Sequence, residues 1–208
     1  YTFSPHPLKI LNPSFCPAMI TSFEDRVELI AKEGIDALVW ARFDRGYASQ
    51  DPEEFARDTL RRKLGAVELW VGPDFAFGRG RAGSIEMLRR IGWDEGYAVQ
   101  VMRSFTLDGR IVSSTRIRKA VAAGHLEEAR ACLGRAYSLR GIVVRGDGRG
   151  RQLGFPTANL TVPQNDKLIP PPGIYAVRGV LRSGTYHGAL HLGPRPTFRG
   201  SPPTIELH

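Results

Sequence analysis

The feature that most constrains this chain is a change of period near 134–136. Ahead of it, amphipathic helical stretches alternate with short apolar runs. Behind it, helical periodicity vanishes, and short runs are punctuated by Gly and Pro. Two such textures within 208 residues read as two modules, 1–135 and 136–208. Helix then strand, repeated with short connections, predicts an α/β module with a parallel sheet. Short strands at regular spacing predict a small antiparallel barrel.

In the first module, Tyr1-Thr2-Phe3 reads as the end of a strand. Two prolines, Pro5 and Pro7, then predict a rigid loop holding His6, either at a ligand or in solvent. Thr21 and Glu24 have capping-box spacing ahead of the apolar stripe Val27, Ile30, Ala31. Ile35 to Phe43 reads as a strand buried on both faces. Asp51-Pro52-Glu53-Glu54 begins a helix that Gly65 ends. Val67 to Val71 is the next strand.

Ligands of such sheets bind beyond the carboxyl ends of strands, where Gly72 to Arg81 falls. Phe75 and Phe77 there could stack on a planar heterocycle, with Asp74 accepting from its edge; alternatively the two rings plug the sheet. Downstream, Ser113-Ser114-Thr115 precede a helix carrying Ile117, Ala120 and Val121 on one face. Helix N-terminal N–H groups favour an anion, and Arg118 lies one turn further in. Phosphate binding and plain capping are the two readings.

In the second module, Gly146 to Asn159 stands out: Gly-Asp-Gly-Arg-Gly-Arg-Gln-Leu-Gly-Phe-Pro-Thr-Ala-Asn. Gly146, Gly148 and Gly150 alternate with charged residues. Glycines let backbone N–H groups close on an anion, and Arg149 and Arg151 present planar donor forks. On an extended segment Thr157 and Asn159 point the same way, a hydroxyl and an amide oxygen suited to a hard cation and phosphate. No Gly-Lys-Ser/Thr follows, so this is not a Walker A loop; a glycine-rich hairpin is the alternative. On Thr204 to His208, alternation places Glu206 with Thr204 and His208. By periodicity it reads as a solvated edge carboxylate, able in principle to take a proton from a hydroxyl.

Charge sharpens this reading. The net charge is +8, which suggests anionic partners. Nucleic acid, nucleotides and phosphorylated metabolites are the candidates, nucleic acid being the usual first reading of such a charge, although the aromatics do not interleave with a basic run and there is no Lys-rich tail. Two cysteines, Cys16 and Cys132, lack metal-ligand spacing and suit a reducing, cytoplasmic setting. No apolar run approaches membrane-spanning length. The chain begins without Met, within apparent strand, and stops in another, so a fragment at both ends is expected.

Together, Thr2 to Pro7, Gly72 to Gly78, Ser113 to Arg118, Leu133 to Tyr137, Gly146 to Asn159, Gly173 to Ala176, Gly193 to Phe198 and Ile205 to His208 resemble the prokaryotic bifunctional riboflavin kinase/FMN adenylyltransferases, also called FAD synthetases. The pieces fall in that family's order. The resemblance implies a Rossmann-like nucleotidyltransferase module that adenylylates FMN, followed by a flavokinase β-barrel that phosphorylates riboflavin, both incomplete here. It implies that Ser114, Thr115 and Arg118 handle ATP phosphates, and that Asp74, Phe75 and Phe77 form a flavin and nucleotide loop. Thr157 and Asn159 would hold Mg²⁺ and ATP phosphates, and Gly146 to Arg151 would form a flap over the nucleotide. Glu206 would be the general base. Partners implied are riboflavin, FMN, FAD and ATP, with neither nucleic acid nor membrane. The family's His-x-Gly-His motif is absent and would precede Tyr1, so the stretch alone is expected to be a poor adenylyltransferase, and unstable or inactive as a kinase. Rival readings are a nucleotidyltransferase with another acceptor, which leaves Gly146 to Asn159 unexplained, and a basic nucleic-acid-binding protein.

Overall fold

The computed structural model of the chain describes residues 1–145, 157–163, 165–193 and 204–208. In order these form β1 (Thr2–Ser4), α1 (Pro7–Leu11), α2 (Phe23–Lys32), β2 (Trp40–Arg42), α3 (Arg45–Ala48) and α4 (Pro52–Glu54), which continues as a π-type helix over Phe55–Lys63. Then come β3 (Glu68–Val71), α5 (Ile85–Glu95), β4 (Ala98–Val101), β5 (Thr106–Leu107), β6 (Arg110–Ile111), α6 (Ser114–Ala122) and α7 (Leu126–Leu133). The rest is strand: β7 (Ile142–Val144), β8 (Ala158–Thr161), β9 (Gly173–Leu181), β10 (Gly184–Gly193) and β11 (Thr204–Leu207). By contact the chain divides into two units. One joins Tyr1–Pro17 to Ile30–Val112, the other Ala18–Leu29 to Ser113–His208.

In the first unit, β1 pairs with β2 and β3 with β4, both parallel. These are two separate two-stranded sheets among the described residues. The core gathers Phe55, Leu60, Val71, Phe77, Leu88 and Ile91. Leu88 and Ile91 are fully buried, each worth about 1.5–3 kcal/mol of transfer free energy. Ser84 caps α5, its hydroxyl accepting from the Met87 amide at 3.2 Å. Gly96 ends the helix in the left-handed region at φ 75°, as a helix stop by glycine predicts.

Three local expectations are corrected. A short helix, α1, begins at Pro7 instead of a loop. Proline is tolerated in the first turn because its missing N–H has no helical partner there. His6 is its cap, with Nδ1 accepting the Leu8 amide at 3.2 Å. The capping box of α2 lies one residue later than the Thr21/Glu24 spacing suggests. The Ser22 hydroxyl accepts from the Asp25 amide at 2.9 Å, and the Ser22 amide donates back to Asp25 at 3.4 Å; a short carboxylate serves as well as Glu. Finally, Ile35 to Phe43 is not a doubly buried strand. Only Trp40–Arg42 pairs, and Ile35, Val39 and Trp40 are exposed.

The second unit carries α6 and α7, tied by an Arg116–Glu128 ion pair at 2.9 Å. Its sheet is five-stranded and antiparallel, ordered β7-β8-β11-β10-β9. The expected barrel is therefore an open sheet among the described residues: β7 and β9 are its two edges. Alternation sorts its faces. Leu190, Leu192, Ile205 and Leu207 share one face by register, and His191, Glu206 and Asn159 share the other.

Candidate functional site

β11 is the middle strand of the five, so the edge-strand reading of Glu206 is wrong. Periodicity showed the face correctly, but could not tell that partners lie on both sides. Cα register pairs Glu206 with Asn159 of β8 and with His191 of β10. Ala189 and His208 exchange both backbone hydrogen bonds, at 3.0 and 2.9 Å. Antiparallel pairs alternate between bonded and non-bonded types. Two residues along, Glu206 and His191 are again a bonded pair, with Cα atoms ~5.5 Å apart. A residue's N–H and C=O point to the same side of an antiparallel strand. Glu206 thus meets Asn159 as a non-bonded pair, Cα atoms ~4.5 Å apart, the type that brings side chains closest. All three residues are half-buried.

Thr157, just ahead of β8, is half-buried too. It stands two residues from Asn159, on the same side by alternation. The fold thus brings together three of the residues singled out by sequence: Thr157, Asn159 and Glu206. The hydroxyl of Thr157 and the amide oxygen of Asn159 are hard donors, which fits a hard divalent cation, and the Glu206 carboxylate beside them can accept a proton. Gly146, Gly148, Arg149, Gly150 and Arg151 lie outside the described residues. No sequence spacing points to His191; strand register places it opposite Glu206.

Ser113 caps α6, its hydroxyl accepting the Arg116 amide at 3.2 Å. Ser114 and Thr115 follow in the exposed first turn. Arg118 is half-buried, and its Nε donates to the Ala18 carbonyl at 2.8 Å. In the first unit, Asp74 is exposed and its carbonyl accepts from Arg81 at 3.2 Å. Phe77 is buried in the core, its ring packed where a side chain on Gly83 would stand. Phe75 stacks on it, centroids 5.6 Å apart and planes 23° apart. The two rings therefore divide the two sequence readings, Phe77 plugging the core and Phe75 lying half-buried above it.

Around this sheet the second unit is fastened by charge. Arg140 donates to Asp25 at 2.8 Å and to Glu28 at 2.6 Å. Burial alone would raise the Asp25 carboxyl, but the Arg140 and Ser22 hydrogen bonds hold it below the usual range. Lys167 is 6% exposed. Its ammonium donates to the Ile20 carbonyl and lies 4.4 Å from the centre of the Tyr137 ring. Burial pushes its pKa down to about 8.

The sequence model of the family described as FAD synthetase matches residues 1–116, and that described as riboflavin kinase matches residues 133–208. Both are flavin-nucleotide enzyme families. The bifunctional riboflavin kinase/FMN adenylyltransferase of Escherichia coli (strain K12) is 35% identical over 207 residues, covering 99% of this chain and 66% of the relative. That of Bacillus subtilis (strain 168) is 33% identical over 211 residues, covering 100% and 66%. A crystal structure described as a macrolide-efflux protein from Streptococcus pneumoniae superposes with a TM-score of 0.84 at 29% identity, over 99% of this chain and 66% of that one. The chain belongs to the bifunctional riboflavin kinase/FMN adenylyltransferase family. It spans about two thirds, 66%, of the length of these curated relatives. Among the described residues, no helix is long and apolar enough to cross a membrane.

Proposed function

We propose that the protein carrying this chain makes FAD in two steps: phosphorylation of riboflavin to FMN, then adenylylation of FMN to FAD, with ATP as donor in both. The family supports the chemistry. The observation that carries the assignment of residues is the pairing of Glu206 with Asn159. On this reading 136–208 is the kinase module, its open sheet part of a flavokinase barrel. Residues 1–135 are the adenylyltransferase module, with its parallel strand pairs part of a Rossmann-like sheet.

In the kinase step, the Glu206 carboxylate accepts the proton of the riboflavin 5′-hydroxyl. That oxygen bonds to the γ-phosphorus of ATP as the bond to ADP breaks. Positioning does much of the work in such transfers, and a general base adds about 10²–10⁴-fold. Thr157 and Asn159 would hold Mg²⁺, which when bound neutralises charge on the ATP phosphates. Gly146, Gly148, Arg149, Gly150 and Arg151 cover the nucleotide.

In the adenylyl step, a phosphate oxygen of FMN bonds to the α-phosphorus of ATP and pyrophosphate leaves. Ser114, Thr115 and Arg118 bind the ATP phosphates through the helix N-terminus and the guanidinium. Asp74 and Phe75 contact the flavin, with Phe77 backing Phe75 from the core. The setting is cytoplasmic, with no nucleic-acid or membrane partner. The test is incubation of the protein, at the length the cell makes it, with riboflavin, ATP and Mg²⁺, followed by chromatography. FMN and FAD are expected; neither product, or steeply salt-dependent binding to generic DNA in their place, overturns the reading.

A further inference from the structure

The consecutive carbonyls of Ala18, Met19 and Ile20 each accept a hydrogen bond from a place far off in sequence. Ala18 accepts from Arg118 Nε at 2.8 Å. Met19 accepts from the Leu168 amide at 2.9 Å, while its own amide donates to the Asp166 carbonyl at 2.6 Å. Ile20 accepts from the Lys167 ammonium. Met19 and Lys167 thus form an isolated parallel bridge, and both are buried. The loop that supplies these donors is itself held. The Tyr137 hydroxyl donates to the Leu168 carbonyl at 2.5 Å, and the Lys167 ammonium lies over the Tyr137 ring. Downstream of Ile20, Arg140 holds Asp25 and Glu28 of α2. Ala18–Leu29 precedes the change of period in the sequence, yet by contact it belongs with Ser113–His208.

We propose that Lys167 and Leu168 position Arg118 for the adenylyl step, with Ala18–Ile20 as the strap between them. A guanidinium is planar, so holding its Nε–H on a fixed acceptor sets the direction in which its terminal N–H groups point. Here the acceptor is the Ala18 carbonyl, and the next two carbonyls of the strap are fixed by Leu168 and Lys167. Arginine otherwise loses rotamer freedom when it binds a phosphate, and a hold at Nε reduces that loss. A loop of the kinase module therefore contributes to ATP handling by the adenylyltransferase module. This rests on Arg118 binding the ATP phosphates. A residue that merely stabilised the second unit would act first on riboflavin phosphorylation, because Asp166–Leu168 follows closely on β8, which carries Asn159. Positioning of Arg118 predicts the reverse: FAD formation suffers and FMN formation is spared.

Lys167→Met removes the bond to Ile20, and Leu168→Pro removes the amide that bonds Met19. In the protein at its natural length, kcat/KM for ATP is measured in two reactions: FAD formation from supplied FMN, and FMN formation from riboflavin. Each substitution should lower the first about 3–10-fold and leave the second within about twofold. Lys167→Arg and Lys167→Gln keep an N–H donor, and at least one should restore FAD formation to within about twofold. In the Arg118→Ala background, neither Lys167→Met nor Leu168→Pro should have a further effect, since strap and guanidinium act as one unit. Unchanged FAD formation in both variants, equal loss in both reactions, equal loss in all three Lys167 variants, or losses that multiply independently with Arg118→Ala would each overturn it. Melting temperatures identify a variant that merely unfolds, in which case the remaining substitutions decide. If Arg118→Ala alone leaves FAD formation unchanged, the phosphate assignment itself fails, and this inference with it.

Discussion

Glu206 on β11 is the direct cross-strand partner of Asn159 on β8. Far apart in sequence, they are locked together by backbone register, so their juxtaposition does not depend on a loop. The opposed apolar face, with Leu190 and Leu192 buried, fixes that register. A slip of one residue would turn every side chain to the wrong face.

Replacing Asn159 with Ala removes one neutral oxygen from the proposed cation cradle and leaves Glu206 in place. A hydrogen bond or ligand to a charged group is worth about 1.5–3 kcal/mol. The Mg²⁺ concentration giving half-maximal riboflavin phosphorylation should rise at least tenfold, with the melting temperature little changed. An unaltered Mg²⁺ dependence would remove Asn159 from the cation site.

Gly92 and Tyr97 give a test of the first unit. A Cβ on Gly92 would stand 2.5 Å from the Tyr97 carbonyl and 2.9 Å from its ring. Glycine to alanine inside a helix ordinarily gains about 1 kcal/mol. Here the overlap should reverse the sign, with Gly92→Ala costing ~1–3 kcal/mol. The Tyr97 hydroxyl is buried without a hydrogen-bond partner among the described residues. Tyr97→Phe should therefore be neutral, or stabilising by up to about 1 kcal/mol. Denaturant titration measures both.

Lys167 makes stability depend on pH. Its pKa is about 8 when folded against an ordinary 10.5, so between these values the unfolded chain binds more protons. Stability from this group therefore rises with pH from about 8 to 10.5, and its penalty is fully present below 8. Above pH 10, Tyr47 and Tyr137, both pushed upward chiefly by burial, work in the opposite direction. The clean window is pH 8–10. Lys167→Met should flatten the rise there and stabilise the protein at pH 7; an identical pH slope in the variant would contradict this account.

Arg118→Ala separates the two activities. It should lower FAD formation from supplied FMN at least tenfold, as expected for a charged contact worth about 1.5–3 kcal/mol. FMN formation from riboflavin should be spared. Because Arg118 also binds the Ala18 carbonyl, Arg118→Lys is the companion: it keeps the charge but not the fork.

The sequence was most legible where local chemistry decides. Ser113 at the start of α6 and Gly65, at φ 64° just past the helix that begins at Pro52, follow from capping rules. Less legible was whatever depends on partners distant in sequence. Periodicity put Glu206 on the right face but on an edge strand, because alternation carries no information on how many strands flank it. Ile35 to Phe43 failed differently: apolar content without a second pairing strand does not make a buried strand. The phosphate motif Thr157–Asn159 was readable as residue types, but its completion by Glu206 needed the sheet.

The most direct test is Glu206→Gln, a change of one atom that keeps size and removes the base. FMN formation from riboflavin should fall about 10²–10⁴-fold, while FAD formation from supplied FMN continues at the unsubstituted rate. Undiminished FMN formation, or equal loss of both activities, would contradict the assignment of Glu206.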